Sequence, residues 1–354
     1  MTATTGPEVL DFTLDQAHEA DEPPEARGLR RDGVRLLVSP GESDPVDSHF
    51  GALGSHLRAG DLLVVNTSAT VPAALDGRLP DGEPIIVHLS GALPGEVWLV
   101  EVRRPNGESS TAPLWLDHAV EIELLAGGTV RLLTRFSDSK RLWIATFDLS
   151  VTVAAYAADH GRPIRYRHVP REWALSYYQT IFAREPGSAE MPSASRPFTP
   201  ELVTDLIGRG VSVAPLLLHT GVSSLEGGER PYPERYLVPE TTASAINDVR
   251  HHGGRVIAVG TTVVRALATV TDEHGVVHPG QGWTEVVVTA DAPVSSVDGL
   301  LTGWHEPESS HLQMLEAFAG RAALERAYRA ALDLGYRWHE FGDSHLILRG
   351  ENTR

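Results

Sequence analysis

Residues 255–270 of the chain read RVIAVGTTVVRALATV: a short apolar run, a glycine, and a second run with helical spacing. The apolar run Arg255–Val259 has the length and the β-branched content of a buried strand. Gly260 permits a tight turn, and we predict that a helix follows from about Thr262 to Val270, capped by a threonine hydroxyl. A strand followed by a helix indicates an α/β layer with a largely parallel sheet.

Further strands and helices of the same kind flank this stretch. The predicted strands Asp61–Asn66 and Val297–Trp304 are apolar runs next to turn residues. Apolar residues at helical spacing predict one helix that begins near residues 307–309 and another over Arg321–Leu334. We assign residues 1–71 and 150–354 to one α/β domain.

Residues 72–149 have a different pattern, in which short β-rich runs alternate with clusters of Gly, Pro, Asn and Asp. The predicted strands are Pro84–Leu89, Glu96–Val102, Ala119–Leu125, Thr129–Phe136 and Leu142–Phe147. Short strands joined by turns, without a helical period, are typical of a small barrel or a sandwich. We therefore predict an all-β domain over residues 72–149, inserted into the α/β domain.

The composition excludes several classes of protein. The 354 residues carry 30 Lys and Arg against 47 Asp and Glu, a formal net charge of −17, so the whole surface does not coat nucleic acid. Without any cysteine, the chain has no disulfide, thiolate nucleophile or cysteine-ligated metal. No apolar run approaches the roughly 18–20 residues of a membrane span, and no secretory signal is visible, so we expect a cytoplasmic protein without a membrane partner.

Polar residues follow the predicted strands at their carboxyl ends, where α/β proteins place their binding sites. After Arg255–Val259 come Thr261, Thr262 and, one helical turn later, Arg265. The amides at the start of a helix attract an anion, and Arg265 would add a positive charge. An ordinary capped turn between a strand and a helix explains the same residues equally well.

His305 lies between the strand Val297–Trp304 and the next helix, and it is followed by Pro307, Glu308 and Ser309. Proline and acidic residues are common in a first helical turn, so a plain cap would explain the last three. A cap would not explain His305, whose imidazole could face a ligand from this position. The pattern is not a zinc helix, because HExxH needs a second histidine where Ser309 stands.

In two further candidate segments, the residue types favour an ordinary structural role over a functional one. His219 follows the apolar run Val213–Leu218, where a histidine is more often a satisfied core residue than a catalyst. Tyr178 and Gln179 lie in a predicted helix or at its boundary, where an aromatic side chain belongs to the core by default. The 16 histidines show no metal-ligand spacing, so the pattern supports no metal site.

Residues 161–173, GRPIRYRHVPREW, form a cationic segment in an otherwise acidic chain. Cations bind phosphates and flat rings stack on unpaired bases, so the segment has the residue types that a single-stranded or looped RNA requires. A solvated charged loop is the equal alternative. The candidate RNA-binding residues are Arg162, Arg165, Tyr166, Arg167 and Arg171.

Several segments, taken in order, resemble the S-adenosylmethionine:tRNA ribosyltransferase-isomerase family of queuosine biosynthesis. The matching segments are 59–67 (AGDLLVVNT), 71–73 (VPA), 178–180 (YQT), 186–187 (PG), 218–219 (LH), 255–262 (RVIAVGTT) with Arg265, Thr302 with His305, 307–309 (PES), 317–320 (AFAG), 336–337 (YR) and 341–343 (FGD). Each segment alone is a weak signal, whereas the ordered set is specific and runs along most of the chain.

The resemblance implies a barrel-like α/β domain into which a small all-β barrel is inserted. It also implies a transferase and isomerase that uses S-adenosylmethionine as a ribosyl donor, with no metal. The implied acceptor is 7-aminomethyl-7-deazaguanine at the wobble position of the tRNA anticodon loop. The implied products are epoxyqueuosine in the tRNA, free adenine and free methionine.

The resemblance also suggests roles for the candidate residues. Proton transfer falls to His305 or Glu308, and His219 is a further catalytic candidate. Anion binding falls to the turn that leads into the helix and to the arginine one turn later. The substrate-binding candidates are Thr261, Thr262, Arg265, Tyr178, Gln179, Ser309 and Asn66.

Three stretches depart from the family pattern. Pro197 stands where the family has a histidine, and Ser224 replaces a glycine; the stretch around residues 229–234 retains Glu234 but has Glu229 and Tyr232 in place of histidines. Proline neither donates a hydrogen bond nor titrates, so Pro197 is not a neutral exchange. Two alternatives therefore stay open: a ribosyltransferase or lyase that uses the same donor with a non-tRNA acceptor, and a non-catalytic RNA-binding relative.

Overall fold

The computed structural model of the chain describes residues 10, 12–106, 110–222, 232–289, 292, 294–307 and 309–350. The strands in this part are β1 (Arg35–Pro40), β2 (Val46–His49), β3 (Leu62–Asn66), β4 (Ser68–Thr70), β5 (Ala74–Arg78), β6 (Pro84–Ala92), β7 (Trp98–Asn106), β8 (Ser110–Pro113), β9 (Glu121–Leu124), β10 (Thr129–Arg135), β11 (Leu142–Asp148), β12 (Glu185–Ser188), β13 (Ser212–Leu218), β14 (Glu234–Val238), β15 (Val256–Val259), β16 (Gly280–Thr284), β17 (Gly299–Gly303) and β18 (Ser344–Leu348). The α-helices are α1 (Val153–His160), α2 (Pro200–Gly208), α3 (Glu240–His251), α4 (Thr261–Val270), α5 (Ser310–Ala319) and α6 (Arg321–Asp333). Short 3-10 helices cover Gln16–His18, Arg31–Gly33, Phe50–Ser55, Leu175–Tyr178 and Ser193–Ser195.

These elements belong to two compact units. The first unit is formed by Met1–Asn66, Ser193–Leu217 and Ser224–Arg354, within the residues that the structure describes. The second unit is formed by Thr67–Pro192 and Leu218–Ser223. Each unit has its own large sheet.

The first unit is built on a nine-stranded sheet in the order β16-β14-β13-β3-β15-β17-β18-β1-β2. The neighbours β13, β3, β15 and β17 are parallel, so their carboxyl ends lie along one edge of the sheet. Every residue of β3 and β15 is buried. Parallel strands are covered on both faces, which is why these two read as continuous apolar runs in the sequence.

The C-terminal helix of this unit contributes to an aromatic cluster next to β17. Helix α6 buries Leu324, Ala327, Tyr328 and Ala331 at helical spacing. The ring of Trp304, directly after β17, lies 4.9 Å from the Tyr328 ring and 5.3 Å from the Trp338 ring, centroid to centroid. Buried aromatic pairs of this kind add packing energy beyond the area they bury. The cluster therefore holds the chain rigidly just before His305.

The second unit is built on a seven-stranded antiparallel sheet in the order β11-β10-β9-β5-β6-β7-β8. Strand β11 also pairs with β7, so six of the strands close into a ring and β8 extends it beside β7. In β9, Ile122 and Leu124 are buried while Glu121 and Glu123 are exposed. This alternation is the signature of a strand with one face on the core. A separate parallel pair, β4 with β12, lies in the same unit.

The mixed α/β architecture predicted from the sequence is confirmed. The predicted cap of α4 is wrong in one respect: the N-cap residue is Gly260, at φ +98°, and no side chain makes the capping hydrogen bond. A residue with a Cβ would be strained at that backbone angle, so the glycine and not a threonine sets the start of the helix. The domain limits at 72 and 149 stay predictions, although the strands β5–β11 span 74–148.

No helix of the described residues is long and apolar enough to cross a membrane.

Candidate active site

Three of the predicted site residues follow neighbouring parallel strands of the nine-stranded sheet. Asn66 is the last residue of β3, while Thr261, the first residue of α4, and His305 each come two residues after the end of a strand, β15 and β17. Since β3, β15 and β17 are parallel neighbours, the structure brings these residues to the same edge of the sheet. This is the edge at which open α/β sheets bind their ligands.

The end of β3 and the start of α4 are joined by a side-chain contact. The Asn66 amide, which is fully buried, lies with its Nδ2 3.4 Å from Thr262 Oγ1 and donates to it. Thr261 is also buried, with 8% of its surface exposed. A buried amide and two hydroxyls at a helix N-terminus form a polar surface that can accept a carboxylate or a hydroxyl group.

Arg265 has protein partners that the sequence did not reveal. Its guanidinium forms an ion pair with Glu234, and it donates to the carbonyl oxygens of Val286 (3.2 Å) and Tyr232 (3.2 Å). Glu234 is 31 positions away in the sequence, so no local pattern pairs the two residues. The predicted role of Arg265 in anion binding stays a prediction, and any anion would share the guanidinium with Glu234.

His305 is fixed through its ring and through its backbone. Its Nε2 lies 3.0 Å from Thr302 Oγ1, and its ring stacks on that of His311 with centroids 4.6 Å apart and planes 11° from parallel. Its backbone N–H donates to the Tyr328 hydroxyl, and its carbonyl accepts from the Trp338 indole N–H at 3.1 Å. The Thr302 hydroxyl and the His311 ring orient the imidazole, and the two backbone contacts fix the chain that carries it.

The electrostatic surroundings of His305 keep its ring neutral. Burial lowers the pKa of His305 well below its ordinary value, and nearby His311, His345 and His339 lower it further. Burial, with a contribution from Arg265, also lowers the pKa of His311 to about 4. A proton acceptor has to be unprotonated at the working pH, and His305 meets that condition.

Of the candidate residues that follow His305, Ser309 lies in the described part of the chain and Glu308 does not. Glu308 lies outside the described residues, as do Ser224 and Glu229. Ser309 is the N-cap of α5, and its Oγ accepts from the His311 backbone N–H at 3.3 Å. Ser309 therefore has a helix-capping contact, and its role in substrate binding stays a prediction.

His219, Tyr178 and Gln179 belong to the second unit. The Gln179 side chain binds the backbone of Thr70, accepting from its N–H at 3.1 Å and donating to its carbonyl at 2.7 Å. The Tyr178 carbonyl accepts from the Thr70 hydroxyl at 2.8 Å, and the Tyr178 side chain is buried. His219 Nδ1 lies 2.7 Å from Ser68 Oγ. These contacts hold the segment against β4, whereas the substrate-binding roles stay predictions.

The cationic segment 161–173 contains arginines in two kinds of surroundings. Arg162 forms an ion pair with Asp76 and another with Glu172 at 3.4 Å. Arg167 and Arg171 are exposed, and the Arg171 guanidinium lies 3.9 Å above the centre of the Trp173 ring. The charge of Arg162 is thus matched by nearby carboxylates. Among the other candidates of the segment, Arg165 donates to the Pro170 carbonyl at 3.5 Å, and the Tyr166 ring stacks on His168 with centroids 6.0 Å apart.

Pro197, one of the departures from the family pattern, lines a small cleft of the first unit together with Arg196, His339, Phe341 and Asp343. The buried Arg196 guanidinium pairs with Glu25 at 2.8 Å.

Among the described residues, no group of three or more acidic or histidine side chains has the geometry of a metal site.

Four residues in these surroundings escaped the sequence reasoning: Thr302 as a partner of His305, His311, Ser68 and Ser188. Thr302, Ser68 and Ser188 lie in or beside matching segments, and that position was the only signal for them. His311 carries no sequence signal, because its contact with His305 depends on how a helix packs against the end of a strand.

The chain is similar to known proteins along almost its whole length. A family model described as "Queuosine biosynthesis protein" matches residues 8–347. The S-adenosylmethionine:tRNA ribosyltransferase-isomerase of Moorella thermoacetica is 35% identical over 96% of this chain and 99% of its own length. The protein of the same name from Parvibaculum lavamentivorans is 34% identical over 96% of this chain and 98% of its own length. The crystal structure of an S-adenosylmethionine tRNA ribosyltransferase from Thermotoga maritima superimposes with a TM-score of 0.53 at 27% identity, and the match covers 96% of this chain and 99% of that one.

Proposed function

The chain belongs to the S-adenosylmethionine:tRNA ribosyltransferase-isomerase family of queuosine biosynthesis, and on that premise we propose its substrates and the residues that act on them. It is an enzyme, both a transferase and an isomerase. The proposed donor is S-adenosylmethionine, and the proposed acceptor is 7-aminomethyl-7-deazaguanine in the anticodon loop of tRNA. The observation that carries the assignment of residues is the neutral, oriented His305 beside the polar ends of β3 and β15.

The first step needs a base. The positive sulfur of the donor acidifies the hydrogens on C5′, and His305 takes one of them as a proton. The electron pair of that C–H bond forms a C4′=C5′ double bond next to the sulfonium and breaks the bond from C4′ to the ring oxygen. That oxygen becomes a carbonyl on C1′ as the bond from C1′ to adenine breaks, so that adenine leaves with the electron pair and acquires a proton. The low pKa of His305 makes it a weak base that is always available in the acceptor form at neutral pH.

The second step forms the bond to the acceptor. The aminomethyl nitrogen of the deazaguanine adds to C4′ of the vinyl sulfonium and loses a proton. The carbanion that this leaves on C5′ attacks the C1′ carbonyl, which closes a five-carbon ring and leaves the oxygen on C1′ free to attack C5′. Closure of the epoxide then breaks the bond between C5′ and sulfur, and methionine leaves with that electron pair. The atoms balance without an oxidant or a reductant, and the reaction needs no group beyond acids, bases and hydrogen-bond donors.

Binding of the donor falls to the polar residues at the sheet edge. The helix N-terminus at Thr261 and Thr262 suits the methionine carboxylate, since backbone amides and the helix dipole both favour an anion there. Asn66 holds the Thr262 hydroxyl and shapes the same surface. Glu308 stays a candidate for proton transfer beside His305.

Each of the two units has a proposed form as well. We propose that the first unit is barrel-like and that the ring of six strands within β5–β11 is a small inserted barrel over residues 72–149. The pairing of β11 with β7 supports the second part. A cytoplasmic location and the absence of a metal in the reaction belong to the same proposal.

Product analysis tests the proposed function. The protein is incubated with S-adenosylmethionine and an anticodon stem-loop that carries the deazaguanine base, with an unmodified stem-loop of the same sequence as control. We expect adenine and methionine to be released together, and only with the deazaguanine RNA. Release that requires a different acceptor would show a divergent enzyme, while RNA binding without any release would show a binding protein and overturn the catalytic proposal.

A further inference from the structure

The imidazole of His311 lies flat against the ring of His305. The two ring centroids are 4.6 Å apart, and the planes deviate from parallel by 11°. Both residues belong to the first unit, His305 after the end of β17 and His311 in the first turn of α5. Aromatic rings at this separation attract each other by more than the area they bury. The stack is therefore a defined contact between the proposed base and a residue without an assigned role.

Helix α5 fixes the position of His311. Three apolar residues that recur every three positions along the helix are buried, namely Leu312, Leu315 and Phe318. They anchor one face of the helix in the core, so the helix does not turn about its axis. At the N-terminus, Ser309 Oγ accepts from the His311 backbone N–H at 3.3 Å and lies 3.2 Å from His311 Nδ1. The ring of His311 thus has a fixed origin and a fixed direction.

Two features of its surroundings keep His311 uncharged. The first is its place in the first turn of α5, where the positive end of the helix dipole disfavours a cation. The second is desolvation, which together with the positive charge of Arg265 lowers the pKa of His311 to about 4. Two stacked imidazolium rings would repel each other at this separation. Because His311 is neutral, this repulsion does not arise when His305 gains a proton.

The neutral ring of His311 can stabilise the charge that His305 acquires. When His305 takes the proton from C5′, it becomes an imidazolium whose plane is parallel to that of His311. The face of a neutral aromatic ring is the negative part of its quadrupole, so it attracts a cation that lies above it. This attraction partly offsets the desolvation that makes His305 a weak base.

Resting on the proposed function, in which His305 is the base, we propose that His311 is a positioning residue of the reaction. Its ring holds the plane of the His305 imidazole by stacking and faces the positive charge that His305 gains. His311 itself neither binds the donor nor transfers a proton. The role requires an aromatic ring at position 311, whereas the nitrogen atoms of that ring are not essential.

NMR measures the stack without any turnover. The protein is labelled with ¹³C-histidine, and the His305 signals are identified by their loss in His305→Gln. An aromatic ring shifts protons above its face upfield, so the His305 ring protons should move downfield in His311→Ala and stay near their wild-type positions in His311→Phe. Equal His305 shifts in the wild type and in His311→Ala would overturn the proposal. A His311 ring that titrates at its ordinary pKa of about 6.5 would also overturn it.

Kinetics tests the positioning role with substitutions that separate the ring from its hydrogen bond. His311→Phe keeps a flat ring and loses the contact with Ser309, whereas His311→Asn can keep that contact and has no ring. We expect His311→Asn and His311→Ala to lower kcat by about 10- to 100-fold with KM nearly unchanged, because a reacting group that is misplaced by about 1 Å loses up to this much. We expect His311→Phe to keep most of the turnover.

The matched control is Gln313→Ala, which truncates a side chain of similar size two positions along the same helix. It should keep kcat, and urea unfolding of every variant shows how much stability each one has lost. A loss of turnover in His311→Phe as large as that in His311→Asn would reject the stacking role. So would a loss of turnover in Gln313→Ala that equals the loss in His311→Ala.

The outcomes separate this inference from the proposed function. A wild-type protein that releases adenine, with full turnover in His311→Asn, would reject the positioning role and leave the proposed function standing. A wild-type protein that releases no adenine would reject the proposed function, and the NMR shifts would still decide whether the two rings stack.

Discussion

Two histidines, one in each unit, are both kept neutral mainly by desolvation, but the groups around their rings differ. His88 lies in the middle of β6, and its Nδ1 is 3.9 Å from Glu101 Oε2. The pair is not an ion pair, because burial together with Arg103, Arg162 and Arg141 lowers the pKa of His88 to about 3. His305 follows the end of β17 and is kept neutral by burial among other histidines.

The difference lies in what surrounds the two rings. His88 is part of a buried network in which Glu101 pairs with Arg103 at 2.7 Å and with Arg141 at 3.2 Å, so the nearby carboxylate is already paired with two guanidinium groups. His305 has hydroxyl, indole and imidazole neighbours at a sheet edge where ligands bind. A low histidine pKa therefore does not by itself indicate catalysis; the place of the residue in the sheet decides.

The largest expected effect comes from exchanging each histidine for glutamine. Glutamine keeps a polar side chain of similar size but cannot take up a proton at neutral pH. We expect His305→Gln to lower kcat by about 10²–10⁴-fold, as for the loss of a general base, and His88→Gln to keep kcat within about threefold while lowering stability. Adenine release and urea unfolding measure the two quantities on the same samples.

An equal loss of turnover in both variants would contradict this expectation. It would mean that His305 and His88 both affect the reaction only through the folding of the protein. An active His305→Gln enzyme would remove His305 from the mechanism and leave Glu308 as the candidate base. The exposed His274 offers a matched surface control, and His274→Gln should change neither quantity.

An intermediate effect is expected on stability in mild acid. The folded protein holds the pKa of His88 at about 3, of His311 at about 4 and of His345 at about 3, whereas each is about 6.5 in the unfolded chain. Below pH 6.5 the unfolded chain binds protons that the folded chain does not. Stability is therefore full above this pH and falls as pH falls, by about 1.4 kcal/mol per pH unit for each histidine.

Urea unfolding between pH 5 and pH 8 measures this slope. His88→Gln removes one of the three groups and should therefore flatten the pH dependence of unfolding. A pH dependence that stays the same in the variant would show that His88 is not held neutral by its surroundings.

The smallest effect is expected on RNA binding by the cationic segment. Arg167 and Arg171 are exposed, whereas Arg162 is paired with Asp76 and Glu172. We expect Arg167→Ala and Arg171→Ala each to reduce the slope of log K against log salt by about 0.7, the value for one contact to single-stranded phosphate, while Arg162→Ala changes it less. Fluorescence titration with the stem-loop at several salt concentrations gives the slopes, and unchanged slopes in all three would identify the segment as a solvated loop.

Local patterns predicted the elements of the site better than its contacts. The runs at Leu62–Asn66 and Val256–Val259 were predictable because buried parallel strands are continuously apolar, and the glycine between strand and helix marked the turn. The threonine cap was wrongly predicted, since residue types do not show that a backbone at φ +98° excludes every side chain.

Local sequence patterns could not predict the contacts between segments that are distant in the sequence. Arg265 reads as an anion-binding residue from its place in the helix, yet its partner Glu234 comes from β14. The hydroxyls of Ser188 and Ser68 lie 2.6 Å apart because β12 pairs with β4, and these two strands are more than a hundred positions apart. Neither arrangement leaves a trace in spacing or composition.

The sequence by itself determined the alternation of strands and helices, the all-β region and the family, because burial, turn chemistry and an ordered set of motifs are local properties that each segment carries alone. Only the tertiary structure decided which charges are paired and which histidines are neutral. Those properties depend on distances of a few ångströms between side chains from different strands, and burial sets the strength of each contact.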